Sequence, residues 1–191
     1  MAQQKLSTDY GSYHFSANKE IYEIQRGNNF EFVVHGLNNI VAYGSDTKKF
    51  PNAEEYIRLS VSDTSVPHFT QDVITVRRGN TAVKYAGPIN WDGGTLVCYD
   101  FIGAETKDIL MAWQAKSGDP LNQTVSQQSE YKINATLIEY TPDYADVVRE
   151  WTLDGCWISS ISEDNYSQDA NGARKITCQI QYDRAFVNYS A

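Results

Sequence analysis

The side chains that could do covalent or metal chemistry are few, and their spacing does not suit it. Acid–base and nucleophilic catalysis need two or three titratable groups that converge on one reacting atom. The three histidines, His14, His35 and His68, form no H-x-H or H-E-x-x-H pair, the spacings that bring two imidazoles to one metal. The three cysteines, Cys98, Cys156 and Cys178, are odd in number and contain no C-x-x-C. Neither a zinc ribbon nor a disulfide framework is indicated. Cys156 has no neighbour in sequence that would lower a thiol pKa, so all three read as buried thiols acting as small hydrophobes. The carboxylates Asp143, Asp146, Glu163, Asp164 and Asp169 gather in loop-like stretches and read as solvated charge. Trp91-Asp-Gly-Gly94 leads into a strand, whereas a phosphate loop leads into a helix with Lys and Ser/Thr, so it is a turn. The expectation is a protein that is not an enzyme and has no cofactor and no metal. A cupin-like barrel would lack its histidine ligands.

What remains must be done by surface and shape. The chain has 191 residues, 41% of them apolar and 13% aromatic, enough for one domain with a packed core. A net charge of −8 argues against a protein that grips nucleic acid through its phosphates. The basic pair Arg77-Arg78 lies in a turn-like stretch and reads as solvated. Met1 to Asp9 is polar, and no apolar run approaches the length of a membrane span, so the chain is expected to stay in a cytoplasm or to leave by a route that reads no such signal, with no membrane partner.

The elements follow from period and punctuation. Residues 1–28 are polar and read as an N-terminal arm, and 29–191 as a single β-sandwich domain with an insertion-like loop at 42–55. A strand runs from Phe30 to Gly36. A second, Tyr56 to Val66, alternates Ile57, Leu59 and Val61 with polar residues until Pro67. Val73–Arg77 and Thr81–Tyr85 flank Arg78-Gly79-Asn80 as a hairpin. Thr95 to Phe101 is a further strand. Helical spacing of Ile109, Leu110 and Trp113 predicts one helix, Lys107–Lys116, capped by Thr106. Three long strands close the chain: Glu130–Tyr140, Val147–Ile161 with Trp151, Leu153 and Trp157 on one face, and Arg174–Val187 with Ile176, Cys178, Ile180 and Tyr182 on one face. Core candidates are Trp113, Leu110, Trp151, Trp157 and Ile180.

The fold class is therefore mainly β, an antiparallel sandwich or barrel with one helix and a long hairpin. Its polar strand faces are rich in Thr, Gln and Asn, and its edges invite pairing with another chain. A monomeric β-sandwich carbohydrate-binding module, with exposed Tyr and Trp stacking on sugars, is the reading from a different class.

Eight segments carry a resemblance. Arg26-Gly-Asn-Asn-Phe30 to Gly36 resembles the opening strand of the tail tube proteins of contractile-tailed bacteriophages. Ser65-Val-Pro67, the run Val73–Gly79 and Val83–Gly87 resemble that family's proline step and long hairpin. Asp100–Leu110 with Ala112-Trp113-Gln114 is similar to its helix. Ser129–Lys132, Arg149–Trp157 and Tyr182–Ala185 resemble its closing strands. The matches keep the family's order over Arg26–Ala185. Departures are the longer leading arm, the stretch Ala42–Glu55, and Ile158 where the family usually has proline.

The resemblance implies a structural virion protein, the inner tube of a contractile tail. Hexameric rings would share a continuous inner β-barrel and stack head to tail as a conduit for genome ejection. Implied partners are further copies of the chain, the tail sheath, the tape-measure protein, the baseplate tube initiator and the tail terminator. DNA would pass through the lumen without specific binding. The implied location is the virion tail, assembled in the host bacterial cytoplasm. Lumen candidates are Asn134, Thr136, Thr177, Gln179, Gln181 and Asp183. Ring-stacking or subunit-interface candidates are Arg77, Arg78, Asn80, Lys84, Tyr85, Trp91 and Asp92. The tube protein of a non-phage contractile injection system and a baseplate tube initiator are the neighbouring alternatives.

Overall fold

Period-two strands build one antiparallel sheet around a long central strand. A computed structural model describes residues 24–42, 50–163, 165–167 and 171–189. Most of the N-terminal arm, part of the 42–55 loop, His14, Asp164 and Asp169 lie outside the described residues. Strand β1 (Phe30–His35) is followed by β2 (Val61–Thr64), β3 (His68–Arg78), β4 (Thr81–Asp92) and β5 (Gly94–Tyr99). Two short strands, β6 (Gly118–Asp119) and β7 (Thr124–Val125), form a small hairpin. The chain ends with β8 (Ile133–Tyr140), β9 (Val147–Glu163), β10 (Lys175–Gln181) and β11 (Arg184–Tyr189).

The sheet order is β1-β8-β9-β10-β5-β2, with β11 also on β9. The 17-residue β9 holds it together. Its first part lies between β8 and β11, and its last part pairs with β10. The strand turns at Gly155, whose φ of +67° is in the left-handed region open to glycine. The β8 register slips beside it, between Ile133 and Ala135. The turn brings the inner faces of the two halves into one core. Phe32, Leu137 and Leu153 from the first half cluster with Leu96, Cys98, Ile176 and Ile180 from the second.

Helices close the remaining side: α1 (Leu37–Ala42), α2 (Ala53–Ser60), α3 (Thr106–Ala115) and the single turn α4 (Gln128–Tyr131). The chain is mainly β and antiparallel, as its periodicity indicates, but the expected single helix is corrected to four among the described residues. The predicted strand Tyr56–Val66 starts as helix α2 and becomes strand only at Val61. The alternation of Ile57 with Leu59 is misleading, since Ile57 is buried and Leu59 is 68% exposed. Ala53, Ile57 and Ser60 are the buried positions, at helical spacing, and Glu54 and Glu55 sit in the first turn where the helix dipole favours them. Glu54 also accepts hydrogen bonds from the Gly36 and Asn38 amides, tying α2 to the end of β1. The helix expected at Lys107–Lys116 begins one residue earlier. Glu105, not Thr106, is the flanking residue, at φ +50°. Thr106 is the first helical residue and is buried.

Trp157 departs from the expected shared face with Trp151 and Leu153. Past the Gly155 turn, Cys156 and Ile158 are buried, while Trp157 is half-buried and meets Tyr131 edge-on, with ring centroids 5.6 Å apart. One extra residue at a bulge reverses which side chains point inward.

Candidate functional site: a projecting arm and its surroundings

Strands β3 and β4 pair with each other along their length and, among the described residues, with no other strand. Every residue from His68 to Ala86 is exposed. The expected hairpin Val73–Tyr85 is thus the outer half of a longer ribbon. Gly79, at φ +59°, makes its turn. At the root, Phe69 packs edge-on against Trp91 at 5.2 Å, and Trp91 leans on Tyr182 at 6.2 Å. His68 Nε2 lies 3.7 Å from an Asp92 carboxylate oxygen.

The two faces of the arm differ chemically. Register places Ile74 opposite Tyr85 and Val76 opposite Val83, so these four side chains form one apolar face. They are 38–50% exposed. The other face pairs Thr75 with Lys84 and Arg77 with Ala82, and Arg78 and Thr81 face each other at the tip. Between Val73 and Ala86 there are three cations, Arg77, Arg78 and Lys84, and no carboxylate. An isolated two-stranded ribbon is marginal in water, and an apolar face on a projecting ribbon marks an interaction surface.

The interface candidates from sequence are therefore brought together. Arg77, Arg78, Asn80, Lys84 and Tyr85 lie on the outer arm, and Trp91 and Asp92 at its root. The lumen candidates divide. Thr177, Gln179 and Gln181 alternate with the buried Ile176, Cys178 and Ile180, so they share the outward side of β10. Asn134 accepts a hydrogen bond from the Gly155 amide, and exposed Asp183 is held by Lys132 at 2.7 Å. Thr136 is not on an open face. It is 7% exposed, with its hydroxyl 2.8 Å from His35 Nε2, because the neighbouring β1 brings the imidazole over it. Of the core candidates, Trp113, Leu110 and Ile180 are buried and Trp151 is partly so.

A groove of about 420 Å³, missed by sequence reasoning, opens where β1, α2 and the end of β8 meet. Its sides come from segments far apart in sequence: Phe30, Leu59, Tyr140 and Tyr144. Glu31 at its floor pairs with Arg58 and accepts a hydrogen bond of 2.9 Å from the Tyr140 hydroxyl. Burial pushes the Glu31 pKa up, but the hydrogen bonds from Arg58 and Tyr140 outweigh it and hold the carboxyl below its usual range. Burial and the bond to Glu31 raise the Tyr140 phenol.

No group of three His, Cys, Asp or Glu among the described residues is placed to hold a metal ion. The cysteines are all fully buried. Burial pushes Cys98 up to about 11 and Cys156 and Cys178 up to about 12. None is a nucleophile at neutral pH. A thiol reagent at pH 8 should therefore label no cysteine in the native protein and all three in denaturant. Native labelling at any of them would show that the core opens. No described helix is long and apolar enough to cross a membrane.

No protein-family model and no curated protein matches the chain. Among solved structures, the tube-terminating cap of the anti-feeding prophage is similar, with a TM-score of 0.62 at 14% identity over 92% of this chain and 98% of that one. A chain of the sheath–tube complex of an extracellular contractile injection system gives 0.60 at 15%, covering 89% and 95%. One from that system's sheath/tube terminator gives 0.59 at 17%, covering 90% and 99%. The chain thus has the fold found in the tube-terminating cap of the anti-feeding prophage and in the sheath–tube and terminator assemblies of an extracellular contractile injection system.

Proposed function

We infer that this chain is a tube-forming structural subunit of a contractile injection apparatus, assembling into hexameric rings that stack into a hollow conduit. The observation that supports this most is the arm, a ribbon with an apolar face left uncovered among the described residues. The fold likeness over nearly the whole chain points the same way. Among the described residues strand β11 pairs only with β9, and its Phe186 is 44% exposed. It therefore offers a second seam where a neighbour's strand could extend the sheet. A ring closed through such edges removes them, and front-to-back stacking propagates until a terminator stops it.

In this reading the outward side of β10, with Thr177, Gln179 and Gln181, together with Asn134 and Asp183, lines the conduit. Uncharged amides and hydroxyls on β10, with the anionic Asp183, let a polyanionic cargo slide without holding it. Sheath, baseplate initiator and terminator are the partners. A phage tail, which would also have a tape-measure protein and pass DNA, and an injection particle without a genome share this tube. Capsid and terminase genes beside this one go with the first, toxin genes without a capsid with the second. The test is sedimentation of the full chain together with the sheath and baseplate proteins encoded beside it. Fast-sedimenting particles of many copies support the reading, and a chain that stays monomeric in their presence overturns it.

A further inference from the structure

The geometry points to a specific seat for the arm: the groove between β1, α2 and β8 on a second copy of this chain. This rests on the tube-forming reading and adds to it where one subunit holds the next. The two surfaces complement each other twice. The arm's apolar face needs a partner, and the groove offers aromatic and aliphatic walls in Phe30, Tyr140 and Tyr144, with Leu59 at 68% exposure. The outer arm is purely cationic, while carboxylates lie in and near the groove. Glu31 lies in it, Glu55 acts electrostatically on Arg58, and Glu150 on Tyr140. Asp143 and Asp146 flank Tyr144 in the adjoining turn. Among the described residues Arg58 is the one cation on the groove walls, and it pairs with Glu31.

Among the described residues the arm stands clear of its own body along its outer half, and the occupant proposed for the groove is the arm of a second copy. Opposite charges at the rim steer the encounter and fix register, while the apolar face supplies burial. A front-to-back contact of this kind, arm of one copy into groove of the next, repeats without limit.

Charge reversal on the full-length chain tests this, with assembly read by sedimentation. Arg77→Glu with Arg78→Glu should raise the concentration needed for assembly at least tenfold. Glu55→Lys with Glu150→Lys should do the same, with the unfolding midpoint read alongside because Glu55 lies in the first turn of α2. An equimolar mixture of the two variants should assemble, because each arm then finds a groove of opposite charge. The quadruple variant should assemble alone. If both double variants assemble like the unaltered chain, or if the arm variant fails and neither the mixture nor the quadruple variant recovers, the arm sits elsewhere. Failure of the unaltered chain to assemble with its sheath and baseplate proteins would remove the tube reading itself, a different result from a seat that is wrong.

Discussion

Trp113→Ala is expected to leave the chain insoluble or unfolded at ambient temperature. Trp113 is 1% exposed and lies on the inner side of α3. Its indole N–H donates to the Tyr131 carbonyl at 3.2 Å, tying the helix to the turn that precedes β8. On the same helix, Lys107 bonds Glu163 at 2.9 Å and Gln114 bonds the Ser159 carbonyl at 3.3 Å, so α3 is fastened along the last part of β9. Truncating a buried tryptophan costs about 3–5 kcal/mol, and the abandoned carbonyl adds about 1–3 kcal/mol if water cannot reach it. A domain of this size has about 5–15 kcal/mol in total, so the loss is a large share of its stability. Trp113→Phe keeps most of the ring and loses the N–H, and should fall between the two. Solubility and the denaturation midpoint are the measurements. An alanine variant with an unchanged midpoint would show that α3 does not hold the body together.

Removing the outer arm should have the opposite signature, an intact body that no longer assembles. Joining Asp72 to Gly87 through an Asn-Gly turn deletes 73–86, a stretch in which every residue is exposed. No core side chain is touched, so the midpoint of unfolding should move by less than about 0.5 kcal/mol. Assembly, however, loses the apolar face of Ile74, Val76, Val83 and Tyr85 and all three tip cations. The expected product is a folded monomer at concentrations where the unaltered chain forms large particles. Particles of normal size from the shortened chain would mean that the strand edges alone carry assembly.

The strands were legible in the sequence because their alternation is regular and their burial one-sided. Ile176, Cys178 and Ile180 against Thr177, Gln179 and Gln181 leave no other arrangement for β10. The hairpin was legible through Gly79, but not its full length, since residues 68–72 and 87–92 carry no clean pattern when neither face is buried. Helix α2 was missed because Ile57, Leu59 and Val61 fit both a strand and a helix end, and only tertiary packing decides that Ile57 goes in and Leu59 out. Trp157 was misplaced because a bulge is one residue long, and Gly155 alone does not announce on which side the strand resumes. Thr136 looked open because an alternating strand does not show that His35 will cover it. The groove had no sequence signal at all: Phe30, Leu59, Tyr140 and Tyr144 meet only after folding.

In the assembly proposed for it, this chain closes into rings that stack into a hollow tube. Negative-stain electron microscopy of the full chain, at rising concentration and then with its sheath and baseplate proteins, tests it most directly. Hollow rings with sixfold end views that lengthen into tubes are expected. Separate monomers throughout, even with those partners present, would contradict it.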